Sequence, residues 1–271
     1  MSPDFNLDKY LARIGYRGPL TPSFETLAAL QAAHVDAIAF EGIDPLLGRP
    51  VNIDLASLQA KIVDGRRGGY CFEQNALLKA ALETIGFAVT PLSARVRWRL
   101  DAAAPHTPRT HMMLKVDLPE GPYLADVGFG SCLLDTPLRM EPDIEQATAM
   151  GTFRLTFSDE MYWLAAKQPT GWRMMYVFDL TPQIHADYML SNWFTSTSPL
   201  TPFTSMLILE RLTSELRYKL VNRRLVVEAR DGEIRSEQII ETPEALQRVV
   251  EEIFGLTFPV PVDAVWARIE S

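Results

Sequence analysis

Cys71 lies two residues after a pair of glycines, at what reads as the first turn of a helix, in Arg66-Arg67-Gly68-Gly69-Tyr70-Cys71-Phe72-Glu73-Gln74-Asn75. The glycines permit a tight, close-packed entry into that helix. First-turn N–H groups have no partner within their own helix and favour negative charge on the sulfur. That is the setting of a nucleophile; the ordinary alternative for a cysteine is a small buried hydrophobe. His111 stands at the start of an apolar strand and Asp126 follows one short turn later. The acid can then hold one imidazole nitrogen while the other accepts the thiol proton. Taken singly, His111 reads as a satisfied core or surface histidine and Asp126 as a turn carboxylate.

The other candidates are weaker. His106 sits in a proline-containing loop, His34 in the middle of an apolar helix, and His185 beside Asp187 in a helix or turn. No set of ligands has metal-binding spacing, and Cys132 reads as packing. Neither a Walker loop nor a dinucleotide fingerprint is present. Gly128-Phe129-Gly130 reads as a tight bend carrying an aromatic plug, and Arg95, Arg97 and Arg99 as the solvated face of a strand.

Three kinds of segment must position these residues. Up to about residue 90 the chain reads as helical. One helix follows Thr21-Pro22, with Thr21 as cap and the proline at the first helical position; another runs from Leu55 to Val63 behind Asp54. The third runs from Cys71 to Ile85 before Gly86, with Leu78, Ala81, Leu82 and Ile85 facing a core. After Pro91 the period becomes two. Ala94, Val96, Trp98 and Leu100 alternate with arginines, and Met112, Leu114, Val116 and Leu118 form a second apolar face. Glu120-Gly121-Pro122 turns the chain so that His111 and Asp126 fall on neighbouring antiparallel strands. Further strands at Phe153–Phe157, Met161–Ala165 and Trp172–Phe178 favour a curled antiparallel sheet or small barrel. The last segment mixes strands at Met206–Leu209, Arg217–Val221, Arg224–Glu228 and Glu233–Ile239 with a hairpin turn at Asp231-Gly232. A helix then opens at Thr242-Pro243, with an apolar stripe of Leu246, Val249, Val250 and Ile253.

The 271 residues are 47% hydrophobic and 22% charged, a composition that builds its own core without metal or disulfide staples. Lysine and arginine total 26 against 34 acids, a net charge of −8 that argues against a surface built for nucleic acid. Two cysteines, no secretory leader pattern and no spanning apolar run point to free thiols in the cytoplasm, with no membrane partner.

Taken together, RRGGYCFEQN around Cys71, HMML from His111, YLADVGFG around Asp126, FEGIDPLLGRPVNID from Phe40 and SNWFTSTSPLTPF from Ser191 resemble the arylamine N-acetyltransferases. The resemblance implies a multidomain α+β fold: an N-terminal helical bundle over residues 1–90, a central antiparallel β-barrel over 91–200 and a C-terminal α/β lid over 201–271. It implies Cys71 as nucleophile, His111 as base and Asp126 as orienting acid, with Phe40, Val96 and Phe129 in the acceptor pocket. Acetyl-coenzyme A would be the acyl donor, with no tightly bound cofactor and no metal, and small aromatic amines or hydrazines the acceptors. The family commonly reads Pro-Phe-Glu-Asn where this chain has Ala39-Phe40-Glu41-Gly42, so the hydrogen bonds of that asparagine are lost. Two alternatives stay open on sequence: a thiol-dependent hydrolase or amide-transfer enzyme using another acyl donor, and a non-catalytic ligand-binding or scaffold protein. Oligomeric partners and coenzyme A contacts are not legible.

Overall fold

The computed structural model of the chain describes residues 5–101, 103–229 and 232–270. Its first helix, Leu7–Ile14, begins at Asn6, whose side chain accepts from the Lys9 N–H, and ends at Gly15 in a left-handed conformation. The second, Phe24–Ala37, starts two residues later than expected: Ser23, not Thr21, accepts from the Thr26 N–H. Serine at that position is the competent cap, which leaves Thr21-Pro22 in the approach. Asp54 caps the helix that follows, and after Leu55–Leu58 the chain winds on as a π-type turn over Gln59–Asp64. Cys71–Ile85 is the longest helix among the described residues, and Gly86 closes it at φ 108°. Its inward face carries Cys71, Asn75, Leu78 and Leu82, spaced three or four apart and all buried.

Among the described residues, eight antiparallel strands form a barrel-like sheet. In spatial order they are Leu138–Arg139, Gly121–Ala125, Arg109–Leu118, Ala88–Val96, Gly171–Phe178, Met161–Gln168, Gly151–Ser158 and Glu145–Thr148. The two end strands are linked by side chain rather than by ladder: Gln146 accepts from the Arg139 N–H at 2.7 Å and donates to its carbonyl at 2.9 Å. The sheet is thereby nearly closed.

Two expectations for this sheet are corrected. The strand placed over 94–100 instead runs over Ala88–Val96 and passes through Pro91. The Pro91 carbonyl accepts from Gln183, so its imide side faces away from the Arg109–Leu118 strand and the missing N–H breaks no ladder bond. A register shift at Ala94/Arg95 and a left-handed Arg99 (φ 65°) then end the alternation. Arg97 consequently turns inward, is 3% exposed, and donates to the carbonyls of Pro105 and Asp101 rather than facing solvent.

A second sheet has, among the described residues, five strands in the order Phe40–Glu41, Ile208–Leu212, Leu216–Val221, Arg224–Ala229 and Ile234–Ile239. The strand expected at Met206–Leu209 starts later, at Ile208, because the 3-10 turn Pro202–Thr204 occupies the approach. Of the expected Asp231-Gly232 turn, Asp231 lies outside the described residues. The helix Pro243–Glu252, capped by Thr242, buries Leu246 and Val250 against this sheet. Among the described residues, no helix is long and apolar enough to cross a membrane.

Candidate active site

Helix Cys71–Ile85 brings Cys71 up beside the strand that carries His111. The first turn is held from behind. Glu73 accepts from the Tyr70 N–H at 3.1 Å and pairs with Lys61 at 2.7 Å. Lys61 also reaches Asp44 at 2.7 Å, and Arg67 joins Asp44 (3.1 Å) to Glu41 (2.6 Å). Buried charges of this kind persist only when paired and hydrogen-bonded. This network fixes both the glycine entry to the helix and the strand of Phe40.

His111 is the third residue of its strand, not the first, and is 2% exposed. Its Nε2 lies 2.7 Å from Asp126 Oδ2. Asp126 follows directly on the neighbouring strand Gly121–Ala125 and is fully buried. Its carboxylate is saturated. Oδ1 accepts from Asn75 Nδ2 and from the Gly128 N–H, each at 2.9 Å; Oδ2 accepts from His111 and from the Tyr176 hydroxyl at 3.0 Å. Burial opposes ionisation of Asp126, but the His111 charge and these donors hold its carboxyl below the usual range. Burial likewise opposes charge on His111, yet the charge and hydrogen bond of Asp126, with the neighbouring Cys71 side chain adding to them, push its pKa up to about 10. The Cys71 sulfur also meets the Thr110 carbonyl at 3.6 Å. The result is a buried thiol beside an imidazole that is hydrogen-bonded to a buried carboxylate, the surroundings favouring the charged form of the imidazole.

Two members of this arrangement escaped the sequence reading as functional residues. Asn75 lies one helical turn beyond Cys71, so a donor four residues after the cysteine was the available signal. It donates to Asp126 and to the Met112 carbonyl (2.8 Å) and accepts from the Val127 N–H (3.0 Å). Tyr176 comes from a strand 50 positions further along the chain than Asp126, and nothing local marks it.

Cys71 and His111 open onto a cleft of about 440 Å³ whose lining is mostly apolar. Phe40, Val96 and Phe129 all line it, together with Trp98, Phe194 and Phe203. The Gly128-Phe129-Gly130 bend owes its glycines to close approach. A Cβ on Gly128 would stand 2.5 Å from Cys71 Cα, and one on Gly130 would come within 2.4 Å of the Phe40 ring. Gly42 is explained in the same way: a Cβ there would lie 2.8 Å from the Phe203 ring, which occupies the space an asparagine would need. The loop keeps its anchors without that side chain, since Gly42 N–H donates to the Ile208 carbonyl (3.0 Å) and Ile43 N–H to Glu41 (2.9 Å).

The remaining histidine and cysteine candidates lie elsewhere. His34 is buried in a chain from Tyr10 to Gln74, and His185 opens the helix His185–Thr197. His106 lies 6.2 Å, ring to ring, from Trp163. Both cysteines are free and buried, and Cys132 packs in the barrel core. Among the described residues, no group of three or more His, Cys, Asp or Glu could hold a metal ion.

The chain is similar to known proteins over most of its length. The N-acetyltransferase family profile matches residues 23–262. The arylamine N-acetyltransferase of Mycolicibacterium smegmatis is 39% identical over 254 residues, covering 93% of this chain and 92% of that protein. The arylamine N-acetyltransferase of Escherichia coli K12 is 36% identical over 251 residues, covering 92% and 88%. The solved structure of the Mycobacterium marinum arylamine N-acetyltransferase in complex with CoA superposes with a TM-score of 0.93 at 35% identity, covering 97% of this chain and 98% of that one.

Proposed function

The chain belongs to the arylamine N-acetyltransferase family of enzymes, and we propose that it moves an acetyl group from acetyl-coenzyme A to an aromatic amine or hydrazine through a thioester on Cys71. The observation that carries this reading is the series Cys71–His111–Asp126 at the wall of one apolar cleft. The CoA bound to the Mycobacterium marinum relative supports coenzyme A as the donor's carrier.

In the first half-reaction the Cys71 sulfur attacks the thioester carbonyl. The tetrahedral intermediate collapses with loss of the coenzyme A sulfur, which takes the proton from the His111 imidazolium. One thioester replaces another at little thermodynamic cost. In the second half, the amine nitrogen attacks the acetyl-Cys71 carbonyl and gives its proton to the now neutral His111. The sulfur leaves, and the resting pair is restored. Asp126 holds His111 through Nε2, leaving Nδ1 to serve the sulfur side. The Cys71 backbone N–H, in the first turn of its helix, is positioned as an oxyanion donor. Phe40, Val96 and Phe129 receive the aromatic ring, and an apolar wall keeps water from the acyl-enzyme. An aromatic amine is the fitting acceptor because its low basicity leaves the lone pair free near neutrality.

In this reading residues 1–90 supply the nucleophile, 91–200 the base and acid, and 201–271 a lid, within a cytoplasmic enzyme. Mass spectrometry tests the central step. One acetyl group should appear on Cys71 after mixing with acetyl-coenzyme A and vanish on adding an aromatic amine. Folded, reduced protein that acquires no acetyl group would refute the proposal.

A further inference from the structure

We propose that Glu210, braced by Arg217, is a positioning residue that holds the Phe129–Ser131 wall of the cleft against Phe40 and thereby governs acceptor binding and the lifetime of the acyl-enzyme. This deepens the acyl-transfer reading and rests on it. Glu210 belongs to the second sheet, outside the triad, and is 1% exposed. A carboxylate buried so deeply needs a reason. Its oxygens accept from the backbone N–H groups of Ser131 and Leu133, both in the loop that follows Asp126. Arg217, also buried, pairs with Glu210 at 3.6 Å and donates to the Leu133 carbonyl at 3.3 Å. The two side chains thus grip the loop by donor and acceptor alike.

What the grip holds is strained and lines the cleft. Ser131 sits at φ 127°, a region that L side chains rarely occupy and that persists only where surroundings enforce it. Phe129, Gly130 and Ser131 all face the cleft, and the Phe40 ring lies directly on Gly130. Phe40 is in turn the register partner of Glu210 in the second sheet. One carboxylate therefore sets the spacing between the two aromatic walls, Phe40 from its own ladder and Phe129 through the loop.

Glu210→Gln is the direct test. An amide oxygen can accept from only one of the two N–H groups, and its NH2 confronts the other. Acetylation of Cys71 by acetyl-coenzyme A should stay within about threefold of the parent, while the acceptor KM and the hydrolysis rate of isolated acetyl-enzyme each rise about tenfold, the scale of one lost charge-assisted hydrogen bond. Adding Ser131→Gly, which accepts the same φ without strain, should recover most of both. Arg217→Lys, which keeps the charge but loses the planar fork, should move both readouts in the same direction by about threefold and stands in where Glu210→Gln does not fold. Folded variants with unchanged acceptor KM and hydrolysis, or with acetylation falling in parallel, would overturn the assignment. Failure of the parent to acetylate Cys71 would instead refute the acyl-transfer reading.

Discussion

Tyr176 donates its hydroxyl to Asp126 Oδ2 at 3.0 Å, the same oxygen that binds His111 Nε2 at 2.7 Å. Burial and the Asp126 charge keep the phenol protonated, so it is a permanent donor. Its work is to spread carboxylate charge and fix the acid in the plane His111 needs. Tyr176→Phe removes one of four donors and leaves the others. The acid limb of the pH–rate profile should move upward as Asp126 becomes easier to protonate, and kcat/KM at neutral pH should fall by about tenfold or more, the worth of one hydrogen bond to a charged group. An unmoved acid limb in folded protein would deny Tyr176 this role.

His111 has its pKa pushed up to about 10 against the effect of burial, and Asp126 supplies the largest favourable contribution. Asp126→Asn leaves burial to act without that charge, so the His111 pKa should drop below its ordinary 6.5. NMR of the imidazole ring would follow this directly: a charged ring past pH 9 in the parent, a neutral one at pH 7 in the variant. Acetyl transfer should fall by roughly 10³–10⁴-fold, the loss typical when an orienting carboxylate is neutralised. Cys71→Ser should abolish the acetyl-enzyme altogether, because a serine hydroxyl does not ionise near neutrality. The sign for stability follows from the raised pKa. The folding contribution of His111 is complete below 6.5 and is lost as pH climbs through about 10.

Local landmarks (a helix start after two glycines, an apolar strand, the residue after a short hairpin) make Cys71, His111 and Asp126 compatible with one site, and the resemblance carried by RRGGYCFEQN, HMML and YLADVGFG is what assigns them together. Local signals fail where the sheet curls. Alternation assigned Arg97 to solvent because it assumes a straight strand, whereas the register shift at Ala94/Arg95 turns the side chain inward. Pro91 read as a strand limit, but its imide faces away from the Arg109–Leu118 ladder, toward Gln183. Tyr176 reaches Asp126 only because the barrel folds its strand across, and the two-residue strand Phe40–Glu41 exists only because Ile208–Leu212 comes to pair with it. Such contacts carry no periodicity to read.

His34 provides a pH prediction independent of catalysis. Tyr10 donates to its Nδ1 (2.8 Å), its Nε2 donates to Gln74 Oε1 (3.1 Å), and Gln74 Nε2 donates to the Gly69 carbonyl (2.7 Å) beside the nucleophile helix. Both ring nitrogens are thus used by a neutral imidazole, and burial drives its pKa down to about 3. A depressed folded pKa contributes stability above 6.5 that is lost as pH falls toward 3. Urea unfolding between pH 6 and pH 4 should show a slope steeper by up to about 1.4 kcal/mol per pH unit than that of His34→Gln. Equal slopes would mean that His34 protonates freely in the fold.

Gly128 and Gly130 should respond differently to the same added methyl group. In Gly128→Ala the new carbon would meet Cys71 Cα at 2.5 Å and Asn75 Nδ2 at 2.8 Å, atoms of a buried helix that cannot retreat. Overpacking at such a point costs about 1–3 kcal/mol. Relief can come only by parting the loop from the helix, which stretches the Asn75–Asp126 and Gly128–Asp126 bonds. Stability and acetylation of Cys71 should fall together. In Gly130→Ala the obstacle is the Phe40 ring, the end of a side chain that borders an open cleft. That ring can swing into the cleft, leaving Cys71 and His111 in place while narrowing the space for an acceptor. Acetylation by acetyl-coenzyme A should therefore persist while KM rises more for a bulky aromatic amine than for a small one. Thermal unfolding, single-turnover acetylation and a short acceptor series would separate the two variants. Identical losses in both would show that the bend acts as one rigid unit, not as two separate contacts.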